Sequence, residues 1–155
     1  MNSVLFDRVF STRPGWAPLV VRLPLGIIFV AHGAQKLFGW FGGYGLQGTA
    51  QWMDSIGLSP GTALALLAGG AEFFGGLALL LGLLVRPASV ALAFTMLVAI
   101  FSVHFSKGLF LSNGGFEFGL ALLTMTVALV ISGGGRLSID RALAGGANAA
   151  DPRGA

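Results

Sequence analysis

Four long apolar stretches, separated by short polar breaks, make up most of the chain. They lie at residues 16–38, 61–85, 87–105 and 116–132. An α-helix needs about 20 mostly apolar residues to cross the hydrocarbon core of a bilayer, and each stretch is close to that length. The pattern predicts an all-α fold, a polytopic membrane protein built as a bundle of four transmembrane helices.

Local signals predict where several helices begin. Ser59 and Pro60 are typical of a helix N-terminus, with Ser59 as the cap and Pro60 at the first helical position. Arg86 and Pro87 predict a tight turn between the second and third helices. Residues 138–143 predict a short juxtamembrane helix that is capped by its first residue, a serine.

The long connection at residues 39–60 is rich in aromatic side chains, notably Trp40, Tyr44 and Trp52. Aromatic side chains of this kind settle at the headgroup level of a membrane. We expect them to anchor an aromatic outer loop at the interface, or to form a lid over a binding site. Residues 46–58 within this loop predict a short interfacial helix.

Composition agrees with a membrane location. Of the 155 residues, 55% are hydrophobic and 10% are charged, whereas soluble domains are about 25% charged. We expect one membrane-embedded domain over residues 1–144 and a polar, disordered tail over residues 145–155. The basic residues are dispersed along the chain, so the sequence predicts no nucleic-acid partner.

The chain has no cysteine and only two histidines. Without cysteine it has no disulfide, no thiolate metal site and no iron–sulfur cluster of its own. A bis-histidine haem would use both histidines and stays open as an alternative, but we predict no metal site. Any redox chemistry must come from a partner protein or from a bound small molecule.

The distribution of basic residues predicts the orientation in the membrane. Seven of them lie toward the side of the membrane where helix one begins, helices two and three are joined and helix four ends, and two lie toward the other side. The seven are Arg8, Arg13, Arg22, Arg86, Arg136, Arg141 and Arg153, and the two are Lys36 and Lys107. The positive-inside rule then places both termini in the cytoplasm.

Five ionisable positions point to function: His32, Lys36, Glu72, His104 and Glu117. A charged side chain within the bilayer costs at least about 2.5–3.5 kcal/mol, so those that are kept are candidates for function. With a rise of 1.5 Å per residue, all five fall in the outer half of the membrane. They form either a ligand or proton site, which we favour, or a structural ion pair that fixes helix register.

Several short motifs, in this order and spacing, carry a family resemblance. They are Arg22-Leu-Pro-Leu-Gly26, His32-Gly33, Lys36-Leu37, Glu72-Phe-Phe-Gly-Gly76, Gly82-Leu-Leu-Val-Arg86, His104, Gly115-Phe-Glu117 and Gly133-Gly-Gly-Arg136-Leu-Ser138-Ile-Asp140. Together they resemble the DoxX family of small bacterial membrane proteins over residues 18–143. The resemblance implies four membrane helices in the bacterial cytoplasmic (inner) membrane. It also implies a link to quinol oxidation or to thiosulfate:quinone oxidoreduction, although the family has no agreed set of catalytic residues.

We therefore expect the membrane subunit of a quinone-linked redox system, with a partner redox protein supplying electrons. His32 would donate to a quinone carbonyl, Glu72 or Glu117 would exchange protons, and Lys36 would stabilise negative charge. One alternative is a non-catalytic membrane anchor, assembly factor or chaperone for a partner enzyme. Another is a small proton-coupled exporter, which would need a homo-oligomer to provide enough helices.

Overall fold

The structure of the chain is a computed structural model that describes residues 10, 12 and 15–149, with side chains described as far as residue 144. Residues 15–149 contain no strand, so the prediction of an all-α fold is confirmed for this part of the chain. Its α-helices are α1 (Ala17–Phe38), α2 (Gly45–Ser55), α3 (Gly61–Leu81), α4 (Val85–Ala99), α5 (Glu117–Ser132) and α6 (Ile139–Ala149).

Three helical segments are long and apolar enough to cross a membrane. These are α1, α3 and Val85–Lys107, in which α4 continues through a π-helical turn at Ile100–His104 and a 3-10 turn at Phe105–Lys107. The fourth, α5, is equally apolar but has 16 residues, which is a length of about 24 Å. A polytopic membrane protein is therefore confirmed, with a fourth helix shorter than the other three.

The turn between α3 and α4 lies earlier than predicted. We expected it at Arg86 and Pro87, but α3 ends at Leu81 and these two residues lie in the first turn of α4. The reversal is made by Gly82 and by Leu84, whose φ angles are +68° and +51°. The expected boundaries at 85 and 87 were wrong because proline is tolerated in the first turn of a helix and does not by itself mark the break.

A carboxylate from a distant helix stabilises this turn. Asp140 accepts hydrogen bonds from the backbone N–H groups of Leu84 (2.7 Å) and Val85 (2.9 Å), which begin α4. Asp140 is 1% exposed. Burial has the largest effect on its carboxyl and raises the pKa, although the two N–H donors and nearby arginines act to lower it. Asp140 therefore caps α4 from α6, a contact that local sequence signals do not reveal.

The start of α3 is also capped by an unexpected residue. Ser59 was expected to be the cap, but its hydroxyl instead donates to Asp54 Oδ1 at 2.6 Å. The same Asp54 oxygen accepts the backbone N–H of Gly61, the first residue of α3, at 2.8 Å. The Ser59 hydroxyl and the Gly61 N–H lower the pKa of Asp54. The last turn of α2 thus caps the helix that follows it.

The predicted juxtamembrane helix is present as α6, and the Arg141 N–H donates to the hydroxyl of Ser138 at 3.2 Å. The helix continues past its expected end at residue 143, so residues 145–149 are helical where we expected a disordered tail. The remainder of that tail, residues 150–155, lies outside the described residues, as do Arg8, Arg13 and Arg153 from the topology argument.

Helices α1 and α3 pack antiparallel with their backbones in close contact. A Cβ atom at Gly33 would lie 2.7 Å from the Phe73 Cα, and one at Gly76 would lie 2.7 Å from the Val30 backbone nitrogen. One at Gly26 would lie 2.9 Å from the carbonyl oxygen of Gly76. Small residues at such crossings let membrane helices approach closely. The interface between α1 and α3 therefore requires glycine on both helices.

The apolar core joins α1, α3, α4 and α5. Its fully or nearly fully buried members are Leu25, Phe29, Leu79, Val85, Leu92, Met96, Leu122 and Leu129. A smaller cluster around Met53 and Ala65 packs α2 against α3. By contrast, large side chains such as Leu67, Phe74 and Phe94 are more than 60% exposed, as expected for a surface that faces lipid.

The backbone contact between α1 and α3 predicts a position-specific response to alanine. Gly76→Ala should lower the free energy of unfolding by about 1–3 kcal/mol, because the added methyl group meets backbone that cannot rotate away. Gly70→Ala is the matched control, since a Cβ there meets nothing within 4 Å. Unfolding of both variants in detergent micelles tests this, and equal stability of the two would contradict the packing.

The Asp54 cap predicts an acid-sensitive contribution to stability. A carboxyl whose pKa is lowered on folding contributes stability that is present above its unfolded pKa of 3.8 and is lost as the pH falls through the lower folded value. Asp54→Asn should therefore unfold at a lower temperature than the wild type at pH 6. The difference should shrink below pH 3.8. Thermal unfolding across this pH range checks it, and a pH-independent difference would rule out the ionised cap.

Candidate functional site

The centre of the candidate site is an ion pair between α1 and α3. Lys36 Nζ lies 2.5 Å from Glu72 Oε2. The Glu72 side chain is 4% exposed and that of Lys36 is 26% exposed. An ion pair that is mostly out of water is stable only when its geometry is good, and removing one partner leaves an unpaired buried charge. The structure thus brings together two of the five predicted site residues.

The helix packing explains why these two residues meet. Lys36 lies in the last turn of α1, where a cation interacts favourably with the helix dipole. Glu72 lies midway along α3, between the close contacts of Gly69 and Gly76 with α1. The small side chains around Glu72 allow the two backbones to approach, so the carboxylate points at the neighbouring helix.

His104 joins this group from the π-helical turn that follows α4. Its Nδ1 lies 2.6 Å from the carbonyl oxygen of Gly114. A carbonyl only accepts hydrogen bonds, so Nδ1–H donates this bond, and in the neutral ring Nε2 is the acceptor. A π-helical turn shifts the register of the residues that follow it and is frequent at functional sites. His104 lines two of the cavities described below.

His32 lies at the edge of the group. Its side chain is exposed on the outside of the bundle, and its ring centroid is 6.3 Å from that of Phe118. It lines a small cavity of about 140 Å³ together with Lys36, Glu72 and His104. His32 is therefore near the ion pair but does not line the larger cavity.

Glu117 is not brought into the group. Its Oε1 accepts the backbone N–H of Leu111 at 2.5 Å, so it fastens the loop between α4 and α5 to the first turn of α5. Sequence depth alone placed Glu117 with the others, because it gives the height of a residue in the membrane but not the direction of its side chain.

A mostly apolar cavity lies within the bundle. This membrane cavity, of about 520 Å³, is bounded by α2, α3, α4 and the π-helical turn. Leu67 and Phe94 line it and are 68% and 67% exposed, so it opens sideways toward the lipid. Lys36, Glu72 and His104 line the same cavity. Three ionisable residues from three different elements thus line one apolar cavity.

A second large space, the outer pocket, lies beside Lys36, between the end of α1, residues 42–44 and α2. It measures about 650 Å³ and is lined by Gln35, Lys36, Tyr44, Thr49 and Trp52, among others. Lys36 lines the outer pocket, the membrane cavity and the small cavity alike. Lys36 therefore lies between the outer pocket and the membrane cavity.

The aromatic side chains of the outer loop divide into two groups. Trp52 lines both the outer pocket and the membrane cavity, and Tyr44 lines the outer pocket. Trp40 lines neither and packs on Phe38 with ring centroids 5.1 Å apart. The positions of Tyr44 and Trp52 are compatible with a lid, whereas that of Trp40 suits an interfacial anchor.

Sequence reasoning missed two buried ionisable residues at the opposite end of the bundle. Arg22 was counted as a surface charge for topology, but it is 2% exposed. Its guanidinium donates to the carbonyl oxygens of Leu79 (2.6 Å), Leu80 (2.7 Å) and Gly134 (3.1 Å), and also to that of Leu137. Arg22 lies within an apolar helix, and this position in the sequence could have identified it as a buried residue. The second buried ionisable residue is Asp140, which caps α4 at a turn that is distant in sequence.

No group of three or more metal-ligating side chains comes together within the described residues. The chemistry available at the site is therefore that of a cation, a carboxylate and an imidazole at the edge of an apolar cavity. These groups can donate hydrogen bonds, accept protons and balance negative charge.

Comparison with known proteins agrees with this architecture. The sequence profile of the DoxX family matches residues 17–105. The inner membrane protein YqjF of Escherichia coli K12 is 37% identical over 131 residues, which is 81% of this chain and 90% of YqjF. The putative oxidoreductase CatD of Bacillus subtilis 168 is 34% identical over 122 residues, 79% of this chain and 83% of CatD.

A third relative covers more of the chain. The uncharacterized membrane protein Rv3486 of Mycobacterium tuberculosis H37Rv is 32% identical over 163 residues, which is 92% of this chain and 97% of Rv3486. No solved structure gives a significant match. The family match includes α1, which carries Lys36, and α3, which carries Glu72. It also includes α4 and the π-helical turn that holds His104. This chain is therefore a membrane protein that belongs to the DoxX family.

Proposed function

We propose that this chain is the membrane subunit of a quinone-linked redox system, with the quinone bound in the membrane cavity. The observation that carries the proposal is that Lys36, Glu72 and His104 line one apolar cavity that opens toward lipid. A quinone has an apolar ring and tail and two carbonyl oxygens, and it carries two electrons and two protons between membrane enzymes. A relative named putative oxidoreductase supports a redox role.

The dimensions and chemistry of the membrane cavity suit such a substrate. Its volume of about 520 Å³ lies within the range of about 300–1,000 Å³ typical of small-molecule sites. Met53 and Phe94 offer soft and aromatic surfaces for a ring. The lateral opening would admit a lipid-soluble molecule directly from the bilayer.

The charged residues take separate roles in this proposal. Lys36 would donate a hydrogen bond to a substrate oxygen and balance negative charge there, while its bond to Glu72 keeps the ammonium group in place. The Nε2 atom of His104 would exchange a proton with the substrate, since Nδ1 is held by the Gly114 carbonyl. His32, which does not line the membrane cavity, would have a lesser role than the sequence suggested.

Protons would be exchanged with water through the outer pocket. Lys36 lines both that pocket and the membrane cavity, and Glu72 is bonded to it at 2.5 Å. A proton that passes between water and the substrate would therefore need to pass only this pair. Electrons would be exchanged with a partner protein, because a chain without cysteine has no iron–sulfur cluster of its own.

We further propose that the protein lies in the bacterial inner membrane with both termini in the cytoplasm. The bias of seven arginines against two lysines supports this orientation, and a relative is named as an inner membrane protein. The outer pocket would then face the periplasm or cell exterior. The ion pair would lie nearer that side.

Binding of a soluble quinone analogue with a ten-carbon tail to the purified protein tests the site. Lys36→Gln should weaken binding about tenfold or more, since a hydrogen bond from a charged donor contributes about 1.5–3 kcal/mol. Lys107→Gln removes the same charge at an exposed position and should bind like the wild type.

The double variant Lys36→Gln/Glu72→Gln separates binding from folding. It leaves no unpaired buried charge, so it should fold like the wild type but bind the quinone analogue as weakly as Lys36→Gln does. Wild-type affinity in a folded Lys36 variant would reject the site. It would instead favour the alternative that the ion pair fixes helix register in a membrane anchor.

The absence of native cysteine makes the orientation directly measurable by single-cysteine labelling in intact cells. A cysteine at Ser112, in the exposed loop before α5, should react with a membrane-impermeant maleimide. A cysteine at Ala142, exposed on α6, should react only after the cells are broken. The opposite labelling pattern would reverse the proposed orientation.

A further inference from the structure

We propose that a groove at the α6 end of the bundle binds the headgroup of an anionic phospholipid. The groove, of about 580 Å³, lies between the end of α3 and the start of α6. Arg136 and Arg141 line it together with Leu81, Leu137 and Ile139. This headgroup groove lies at the opposite end of the bundle from the ion pair and shares no lining residue with the membrane cavity.

The two arginines of the groove have no acidic partner in the described part of the chain. Each of the four described carboxylates is engaged elsewhere. Asp54 bonds Ser59 and Gly61, Glu72 bonds Lys36, Glu117 bonds Leu111, and Asp140 bonds Leu84 and Val85. Two guanidinium groups at one groove therefore carry positive charge that no carboxylate of residues 15–144 pairs with, and a phosphodiester would balance it.

The other two described arginines at this end behave differently. Arg22 is buried and donates to backbone carbonyls, and Arg86 donates to the carbonyls of Val130 (2.9 Å) and Ile131 (3.1 Å) at the end of α5. These arginines complete helix ends. Arg136 and Arg141 are exposed and are not used in this way.

The apolar part of the headgroup groove suits an acyl chain. Leu81 and Leu137 are 56% and 58% exposed, and Ile139 is 40% exposed. Leu81 is the last residue of α3, a membrane-spanning helix, so the groove lies at the level where lipid headgroups meet hydrocarbon. Apolar side chains there would contact the upper acyl chain while the guanidinium groups contact the phosphate.

An aromatic contact holds one of the arginines at this level. The guanidinium carbon of Arg136 lies 5.5 Å from the centroid of the Trp16 ring. Trp16 is 54% exposed at the start of α1, as is typical of an aromatic residue at the interface. Stacking on the ring orients the guanidinium and leaves its N–H edges for a phosphate.

The chemistry predicts selectivity for lipids with a net negative charge. Basic residues near a membrane surface attract anionic headgroups. A zwitterionic choline headgroup would bring its own cation to a groove that has no described carboxylate to receive it. Phosphatidylglycerol should therefore bind in preference to phosphatidylcholine.

Native mass spectrometry of the purified protein with added lipid tests this. The wild type should retain phosphatidylglycerol at least about tenfold more strongly than phosphatidylcholine. Arg136→Gln/Arg141→Gln should lose this preference, and Arg136→Lys/Arg141→Lys should keep most of it. Lys107→Gln removes a charge at the other end of the bundle and should behave like the wild type.

Three results would overturn the proposal. One is wild-type retention of phosphatidylglycerol by an Arg136→Gln/Arg141→Gln variant that unfolds at the wild-type temperature. Another is equal retention of the two lipids by the wild type. The third is displacement of the lipid by millimolar inorganic phosphate, which would identify a site for free phosphate in place of a lipid. Should the glutamine variant fail to fold, the lysine variant and the lipid comparison still decide.

Discussion

The close approach of α1 and α3 is the constraint on which the rest of the structure depends. Glycines on both helices bring the backbones so near that a single methyl group at Gly33 or Gly76 would collide with the backbone of the other helix. This approach places Lys36 beside Glu72 at a distance of 2.5 Å. Inside a membrane neither charge would be stable alone. Packing and electrostatics therefore support each other. The glycines let Lys36 reach Glu72, and the ion pair in turn stabilises the close packing of the two helices.

The two ends of the bundle use charge in different ways. At the α6 end, Arg22 and Asp140 are bonded to backbone groups and complete helix ends, so they have little capacity left for a ligand. At the other end, Lys36, Glu72 and His104 line cavities that reach both water and lipid. A bundle held rigidly at one end and open at the other is a suitable arrangement for a site that exchanges a small amphiphile with the bilayer.

Hydrophobic patterning was sufficient to predict the fold class, because lipid requires long apolar helices whatever their neighbours. It also placed Lys36 and Glu72 at a similar depth. Depth does not give direction, however, so Glu117 was grouped with a cavity that it does not line. Arg22 was read as a surface charge because the helix-end carbonyls it contacts are distant in sequence. Contacts between residues distant in sequence, like those of Arg22 and the Asp140 cap, form only when the helices pack together.

The central claim is that the membrane cavity beside the ion pair binds a quinone. Photolabelling with an azidoquinone, followed by mapping of the labelled residues by mass spectrometry, tests this most directly. We predict label on α3 or α4 among the lining residues, such as Leu67, Phe94 and Val98, with loss of labelling when unmodified quinone is in excess. Label confined to the loop before α5, or label that excess quinone does not reduce, would contradict the account.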